Sequence, residues 1–322
     1  MPFLPEAVTS VLEQSYSDFE LLVINDGSTD EGPDYLQSLT DPRLKVISCE
    51  HLGIVDALNH GLAVANGRFI ARMDADDRCH PQRLERQVAF LNQHPRIGLV
   101  GTGARHWFGE EGSAGFGQYI QWNNRLVTPE DLYRSRFVES PLIHPTVMFR
   151  KEIAEQHGGY RAGDFPEDYE LWLRWLEAGV RMAKLDWVGL DWRERPFRLS
   201  RSDQRYAVHA FYRTKAQYLA QWLLKKGHHE RGILIWGAGR VSRLRAEELT
   251  FRGISIYGYI DIDPHKIGNR IHGRSVMSPK ELPPPGTHFL LSYVGNRGAR
   301  DQIEAFLKAA GYLEECHYLV AA

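Results

Sequence analysis

The alternation of short apolar segments with amphipathic segments over the first 93 residues constrains the fold most strongly. Apolar runs at 19–24, 44–48 and 69–73 predict strands, and helical periodicity at 5–14, 54–65 and 81–93 predicts helices. Asn25-Asp26-Gly27-Ser28 and Asn66-Gly67 are turn signals between them. Strands that alternate with helices predict an α/β fold with a mostly parallel, layered sheet.

The rest of the chain predicts a second α/β domain after a long helix. Glycines mixed with aromatic residues over 103–127 predict loops and an edge hairpin, whereas 146–150 reads as a strand and 169–177 as a helix. A helix over 206–226 ends at Gly227. We therefore predict a first domain at 1–203, a helical linker at 204–230 and a second domain at 231–322.

Composition narrows the classes of protein. With 43% hydrophobic and 25% charged residues the chain is typical of a folded globular protein, and its net charge of −2 disfavours a nucleic-acid partner. Cys49, Cys79 and Cys316 lack zinc or disulfide spacing, which favours a reducing cytoplasm. The sequence shows neither a bilayer-spanning apolar run nor a signal peptide. Around Lys225-Lys226 a basic helix leaves open either peripheral contact with the inner face of the membrane or a solvated surface.

Acidic residues follow the predicted strand at 69–73. Asp74, Asp76 and Asp77 are close enough to repel one another unless a cation lies between them. Mg²⁺ or Mn²⁺ suits such oxygen ligands and completes its coordination with water and phosphate oxygens. The alternative is that Asp77 and its neighbours cap the helix predicted to begin near Pro81.

Two other acidic turns are candidates for ligand contacts. Asp26 follows the strand at 19–24 and either binds a base or ribose or forms an Asx turn. Glu167 and Asp168 precede the helix at 169–177, where a carboxylate either removes a proton from an acceptor hydroxyl or caps the helix. Trp172 and Trp175 are expected to face the core rather than a sugar ring.

Six motifs, taken in order, resemble family 2 glycosyltransferases over about residues 3–200. The motifs are Asn25-Asp26-Gly27-Ser28-Thr29-Asp30, Ala57-Leu58-Asn59-His60-Gly61, Asn66-Gly67-Arg68-Phe69-Ile70, Met73-Asp74-Ala75-Asp76-Asp77, His144-Pro145-Thr146 and Glu167-Asp168-Tyr169-Glu170-Leu171-Trp172. The resemblance implies a GT-A nucleotide-diphospho-sugar transferase fold. It also implies a hexosyltransferase that moves a sugar, with inversion, from a nucleoside-diphosphate sugar to an acceptor hydroxyl.

Roles for single residues follow from the resemblance. Asp26 would hold the nucleoside, Asp74 and Asp76 the metal and diphosphate, and Asp168 would be the base, with Glu167 beside it as a substrate contact. Arg198 and the neighbouring arginines either fold over the diphosphate or belong to a solvated basic connector at 193–202. His144 matches the pattern, but we interpret it as structural.

The partners implied are a nucleotide-sugar donor and a saccharide or lipid-linked acceptor in the synthesis of cell-surface polysaccharide or glycoconjugate. Members of the family normally open with a strand that helps to bind the nucleotide, and Met1 lies beyond the position of that strand. Either the strand is encoded upstream of the assigned start, or the protein lacks it together with part of its donor site. We favour the first, because loss of the strand would leave backbone groups on neighbouring strands unpaired.

The second domain contains half of a dinucleotide-binding fingerprint. Gly237 and Gly239 follow the strand at 233–236, and Asp261 ends the next strand, where it could reach a ribose. Ser242 replaces the third glycine. The region resembles small Rossmann-like domains of sugar-modifying enzymes, and it binds a nucleotide or serves as a packing or homo-oligomerisation module.

Three functions remain open from the sequence. They are a metal-dependent glycosyltransferase, a catalytically inactive protein that binds sugar nucleotides, and a nucleotide-dependent oxidoreductase that uses Gly237 to Asp261. The short second domain and its lack of a separate catalytic constellation disfavour the oxidoreductase.

Overall fold

The protein divides into two compact units. The computed structural model describes residues 2–107, 114–195, 198, 201 and 203–322. The first unit comprises Met1–Arg134 and Ser140–Tyr206, and the second comprises Ser135–Glu139 and Ala207–Ala322. The chain therefore contributes to the second unit twice.

The first unit is a mixed α/β structure, and its predicted early elements are present within a few residues of the expected bounds. Its helices are α1 (Leu4–Leu12), α2 (Gly32–Ser38), α3 (Ile54–Val64), α4 (Arg83–Gln93), α5 (Ala114–Asn124), α6 (Pro129–Ser135), α7 (Lys151–His157) and α8 (Glu167–Glu177). Its strands are β1 (Leu21–Asp26), β2 (Leu44–Cys49), β3 (Phe69–Ala71), β4 (Arg78–Cys79), β5 (Ile97–Trp107), β6 (Met148–Arg150) and β7 (Arg181–Arg193).

The larger sheet of the first unit has the strand order β3-β6-β5-β7-β4. Strands β5 and β7 are parallel, but β3 with β6, β5 with β6 and β4 with β7 are antiparallel. The expectation of a mostly parallel sheet is therefore wrong for this sheet. The physical reason is that short segments insert β6 and β4 in the reverse direction, which sequence alternation does not reveal.

Strand β5 corrects the prediction of loops and a hairpin over 103–127. Its first eight residues are buried and pair with β7, and α5 follows from Ala114. Glycines hid the strand in the sequence because they permit close packing here: a Cβ on Gly98 would lie 2.7 Å from Val180 Cγ1, and one on Gly101 would lie 3.0 Å from Lys184 Cγ.

Helix α8 anchors the main core of the first unit. Trp172 and Trp175 are fully buried beside Leu99, Phe149 and Leu171. The indole nitrogen of Trp175 donates to Gly158 O at 3.1 Å. The predicted core position of both tryptophans is confirmed.

Strands β1 and β2 form a separate two-stranded parallel sheet. All six residues of β1 are only half-buried, and no strand in the described part of the chain pairs with its other edge. The additional N-terminal strand that the family resemblance implies stays a prediction.

The second unit is built on a six-stranded sheet with the order β10-β11-β9-β8-β12-β13. Neighbouring strands are parallel except for β10 with β11. The strands are β8 (Ile233–Trp236), β9 (Ile256–Ile260), β10 (Arg270–Ile271), β11 (Arg274–Met277), β12 (Phe289–Ser292) and β13 (Tyr318–Val320). The helices are α9 (Val208–Lys225), α10 (Arg240–Thr250) and α11 (Arg297–Ala309).

Helix α9 belongs to the second unit, which differs from the predicted linker at 204–230. Leu219, Trp222 and Leu223 are buried, so its apolar face takes part in a core. Lys215 on the same helix is 2% exposed and donates to Val138 O and Ala321 O, each at 2.9 Å. Within the second unit, this lysine therefore connects the segment 135–139 to helix α9 and to the C-terminal residues.

Among the described residues, no helix combines the length and the apolar character needed to cross a bilayer.

Candidate active site

Three carboxylates meet in the turn that follows β3. One oxygen each of Asp74, Asp76 and Asp77 lies within 4.8 Å of the others. The turn is held by an Asp77 N–H that donates to Asp74 O at 3.3 Å and by Arg193, whose Nε donates to Asp76 O at 2.9 Å. The predicted pair of metal ligands, Asp74 and Asp76, thus lies in a cluster that includes Asp77.

Asp77 does not cap α4. That helix begins at Arg83 behind Gln82, which makes no side-chain capping bond, so the capping interpretation is wrong for Asp77. Asp77 is 1% exposed, and its Oδ1 accepts from Arg193 N at 2.9 Å. Its Oδ2 is buried and has no hydrogen-bond partner in the described part of the chain. Burial, followed by the charges of Asp74 and Asp76, holds the pKa of Asp77 well above its usual range.

Arginines balance the other two carboxylates. Asp74 Oδ1 pairs with Arg72 Nη2, and its Oδ2 lies 3.8 Å from Arg198 Nη2. Asp76 Oδ2 accepts from Arg195 Nε at 2.8 Å. Burial acts to raise the pKa of Asp74, but the charge and hydrogen bond of Arg72 outweigh it, so that pKa is lowered overall.

Asp168 lies in the first turn of α8. Its Oδ1 accepts from Tyr169 N at 2.7 Å, so part of the carboxylate serves the helix start. Burial and then the charge of Glu167 raise the pKa of Asp168 to about 7, against the opposing effects of the Tyr169 N–H and Arg72. A carboxylate with this pKa can exchange a proton near neutral pH.

Arg72 links the acidic turn with the Asp168 region. Its positive charge acts on Asp168 and on the buried pair His144 and Tyr160, in which His144 Nε2 lies 2.7 Å from the Tyr160 hydroxyl. The acidic turn and Asp168 therefore share one electrostatic environment. His144 is 7% exposed and bonded to Tyr160, which agrees with the structural role expected for it.

Glu167 contacts another side chain of the first unit. It is 2% exposed, and its Oε2 accepts from the Tyr206 hydroxyl at 2.6 Å. Glu167 is therefore buried and bonded to Tyr206, and its predicted substrate contact stays a prediction.

Asp26 is engaged by the backbone at the start of α3. Its Oδ1 accepts from Leu52 N at 2.8 Å and its Oδ2 from Gly53 N at 2.9 Å. The Asx-type bond of this turn belongs instead to Asn25, whose Oδ1 accepts from Ser28 N at 2.9 Å. No described contact joins Asp26 to the acidic turn, so its predicted nucleoside contact is untested.

Arg198 lies beside the acidic turn and is largely buried. Its guanidinium is 4.7 Å from the Trp192 ring centre and 5.7 Å from that of Phe116, and its Nη1 donates to Arg193 O at 3.0 Å. These contacts oppose the interpretation of Arg198 as solvated. Residues 196–197, 199–200 and 202 of the 193–202 connector lie outside the described part of the chain.

The predicted nucleotide residues of the second unit lie in a tight turn. Gly237 has a φ of 114° and Gly239 directly precedes α10, where a Cβ would meet nothing within 4 Å. Asp261, however, accepts from Ala238 N at 2.9 Å through Oδ2 and from Asp263 N at 3.0 Å through Oδ1. Its carboxylate ties two loops together.

Arg72 was not predicted from the sequence as a site residue, and Asp77 was not predicted as a metal ligand. Arg193 and Arg195 were predicted only as arginines that neighbour Arg198. Arg195 had a signal, since it stands among the arginines of the basic connector. Arg72 had a weaker one, because alternation along the strand places it on the same side as Asp74.

The comparisons with known proteins agree on the kind of enzyme. A putative glycosyltransferase of Bacillus subtilis (strain 168), EpsE, is 30% identical over 290 residues, which cover 86% of this chain and 91% of that protein. The Escherichia coli O-antigen biosynthesis glycosyltransferase WbnJ is 33% identical over 226 residues, 68% of this chain and 84% of that protein. The protein is a glycosyltransferase.

The family follows from the first unit. A profile described as glycosyl transferase family 2 matches residues 1–158. An uncharacterized Haemophilus influenzae glycosyltransferase is 32% identical over 178 residues, but the chain spans only 55% of that relative's length. Together with the Bacillus subtilis and Escherichia coli relatives, which this chain covers over most of their length, the profile shows that the chain belongs to glycosyltransferase family 2.

A solved structure supports the fold. Staphylococcus aureus TarS 1-349 in complex with UDP-GlcNAc superposes with a TM-score of 0.55 at 18% identity, covering 77% of this chain and 67% of that chain. The α/β architecture is therefore of the GT-A type.

Proposed function

We propose that this protein moves a sugar from a nucleoside-diphosphate sugar to an acceptor hydroxyl by a single, inverting displacement that depends on Mg²⁺ or Mn²⁺. The observation that carries the proposal is the acidic turn, in which three carboxylates converge and the buried Asp77 Oδ2 has no hydrogen-bond partner among the residues that the structure describes. Buried carboxylate oxygens normally have a donor or a cation beside them.

The acidic turn fits a divalent cation. Arg72 and Arg195 pair with Asp74 and Asp76, but they leave the buried Asp77 oxygen without a donor. Hard oxygen ligands suit Mg²⁺ and Mn²⁺, which keep further positions for water and phosphate oxygens. Asp74 and Asp76 would hold the ion with Asp77 beside them, and the ion would offset negative charge growing on the leaving diphosphate.

Asp168 is the proposed base. The acceptor oxygen forms a bond to the anomeric carbon, the bond between that carbon and the phosphate oxygen breaks, and the acceptor proton moves to Asp168. A pKa of about 7 leaves a substantial fraction of this carboxylate ionised at neutral pH, and its conjugate acid is weak enough to hold the proton. Arg72 and Arg198 both lie beside Asp74, and the charge of Arg72 also acts on Asp168.

The donor and acceptor classes rest on relatives. The TarS neighbour was solved with UDP-GlcNAc, and WbnJ is named for O-antigen biosynthesis. The amylovoran biosynthesis glycosyltransferase AmsE of Erwinia amylovora is 29% identical over 185 residues. We therefore propose a nucleotide-sugar donor and a saccharide or lipid-linked acceptor on a cell-surface polysaccharide.

For the second unit we propose a Rossmann-like fold that binds a nucleotide at the turn after β8. Support comes from five parallel strands in the order β11-β9-β8-β12-β13, in which the chain reverses direction across the sheet between β8 and β12. Gly239 leaves open space at the start of α10. Because Asp261 already accepts two backbone N–H groups, we assign the ligand contact to the turn and not to this carboxylate.

A thermal-shift panel of UDP-, GDP-, CDP- and dTDP-sugars, each with and without Mn²⁺, tests the proposal. A stabilising donor should raise the unfolding temperature in the presence of metal, and Asp76→Asn should abolish the metal-dependent part. Stabilisation by NAD(P) alone would favour the oxidoreductase. Donor binding without any sugar transfer to a panel of lipid-linked and free saccharides would favour an inactive binding protein.

A further inference from the structure

Arg72 is fixed by its backbone at the end of β3. Its N–H donates to Val147 O at 3.0 Å, and its carbonyl accepts from Arg83 Nη2 at 2.7 Å. Arg83 is itself 1% exposed and bonded to Gln87 at 3.0 Å. The backbone of Arg72, from which the side chain extends, is therefore held by hydrogen bonds on both sides.

The guanidinium of Arg72 is only partly used by the protein. Its Nη2 pairs with Asp74, whereas its Nη1 is buried and has no hydrogen-bond partner among the described residues. The whole side chain is 11% exposed. Because a buried N–H without an acceptor is unfavourable, this group is suited to an oxygen that arrives with a ligand.

The surroundings of Arg72 indicate which oxygen that is. The guanidinium adjoins Asp74 of the acidic turn, and its charge also acts on Asp77 and on Asp168, the proposed base. The bond that breaks in the proposed reaction joins the sugar to a phosphate oxygen. This bond would lie between the acidic turn and Asp168. A guanidinium matches two phosphate oxygens at once, whereas neutral sugar hydroxyls give it weaker contacts.

We propose that Arg72 binds the diphosphate of the donor through Nη1 and stabilises the charge of the leaving nucleoside diphosphate. The inference rests on the proposed function, because it needs a nucleoside-diphosphate donor in this site. Arg72 differs from Arg198 in its position: it directly follows a sheet strand, its backbone is held by two hydrogen bonds, and its guanidinium is already paired with Asp74.

Calorimetric titration of Arg72 variants tests this. The probe is whichever of UDP, GDP, CDP or dTDP most stabilises the wild-type protein, titrated with Mg²⁺ present. We expect Arg72→Met to weaken binding by about tenfold to a hundredfold, the usual effect of losing a charge-assisted hydrogen bond. Arg72→Lys keeps the charge beside Asp74 but loses the two-pronged geometry, so its binding should fall between the two.

Arg68→Met is the matched control. Arg68 directly precedes the same strand, is exposed, and its guanidinium lies 5.1 Å from the centre of the Phe69 ring, so its loss should leave binding unchanged. If urea unfolding of Arg72→Met is not cooperative, that variant is misfolded and Arg72→Lys is used instead. Binding by Arg72→Lys equal to that of the wild-type protein would then overturn the inference. If Arg72→Met folds and binds within twofold of wild type, the inference is also overturned. If no nucleoside diphosphate binds wild type, the proposed function fails and takes this inference with it.

Discussion

Two acidic turns of this protein follow strands, yet their carboxylates have different surroundings. Asp261, after β9, accepts a backbone N–H with each oxygen. Asp77, in the turn after β3, has one oxygen with a backbone donor and one buried oxygen with none. An acid at a strand end is therefore left available to a ligand where the local backbone does not satisfy both of its oxygens.

Asp26 resembles Asp261 in its hydrogen bonds. Both of its oxygens accept backbone N–H groups, from Leu52 and Gly53, although its motif is one of the most recognisable in the sequence. A carboxylate held this way can still present its remaining lone pairs to a nucleoside, so the predicted contact stays a prediction.

Substitution of the proposed base should give the largest effect. Asp168→Asn keeps the size and the acceptor for Tyr169 N but cannot take a proton, so kcat should fall by about 10²- to 10⁴-fold while donor affinity is retained. Steady-state transfer assays and calorimetry measure the two quantities. Asp164→Asn, an exposed acid in the segment before α8, is the control. Wild-type turnover in Asp168→Asn would show that another group is the base.

Asp77→Asn tests most directly whether the turn after β3, unlike the turn that contains Asp261, binds a metal ion. The variant removes a charge that the fold disfavours, so the metal-free protein should be at least as stable as wild type. Affinity for Mn²⁺ should nevertheless fall by about tenfold to a hundredfold. Metal titration followed by calorimetry, beside urea unfolding, measures both. Unchanged metal affinity would remove Asp77 from the site.

The pH profile should report Asp168. Because burial and Glu167 raise its pKa to about 7, kcat/KM should fall about tenfold per pH unit below that value and level off above it. Since the folded protein holds this proton more tightly than the unfolded chain, Asp168 contributes stability at low pH that is lost as pH rises from about 4 to 7.

Glu167→Gln sharpens the same measurement. The amide oxygen still accepts from Tyr206, but the negative charge is lost, so the limb of the profile should move to lower pH. An unmoved limb with a raised donor KM would instead assign Glu167 to substrate binding, as the sequence predicted.

Asp261→Ala should have the smallest effect on sugar transfer. The buried Ala238 N–H loses its acceptor, so unfolding free energy should fall by about 1 to 3 kcal/mol, while kcat per folded molecule stays at the wild-type value. Urea unfolding and specific activity measure the two. A loss of activity without a loss of stability would contradict the structural role of Asp261.

The sequence revealed elements whose signals are local. The early strands and helices show regular periodicity, and Asp74, Asp76 and Asp77 are neighbours in the chain, so their convergence could be predicted. Strand β5 was missed because its glycines, required by close packing on β7, interrupt the apolar pattern.

Partners from distant parts of the chain were harder to predict. Asp76 meets Arg195 across 119 residues, and Arg193 reaches back to Asp77 across 116 residues. Neither spacing leaves a trace in local periodicity. Such contacts decide which carboxylate keeps a buried oxygen without a donor. The difference between Asp77 and Asp261 therefore becomes visible only in the folded structure.

The segment 135–139 has a consequence for how this architecture is inherited. Phe137 and Val138 are buried in the second unit, where Lys215 donates to Val138 O, although the chain on both sides belongs to the first unit. Recombination at a single point near residue 206 would therefore separate these five residues from the core they complete. Exchange of the part of the chain after residue 206 between related genes should succeed only when the segment 135–139 is exchanged with it.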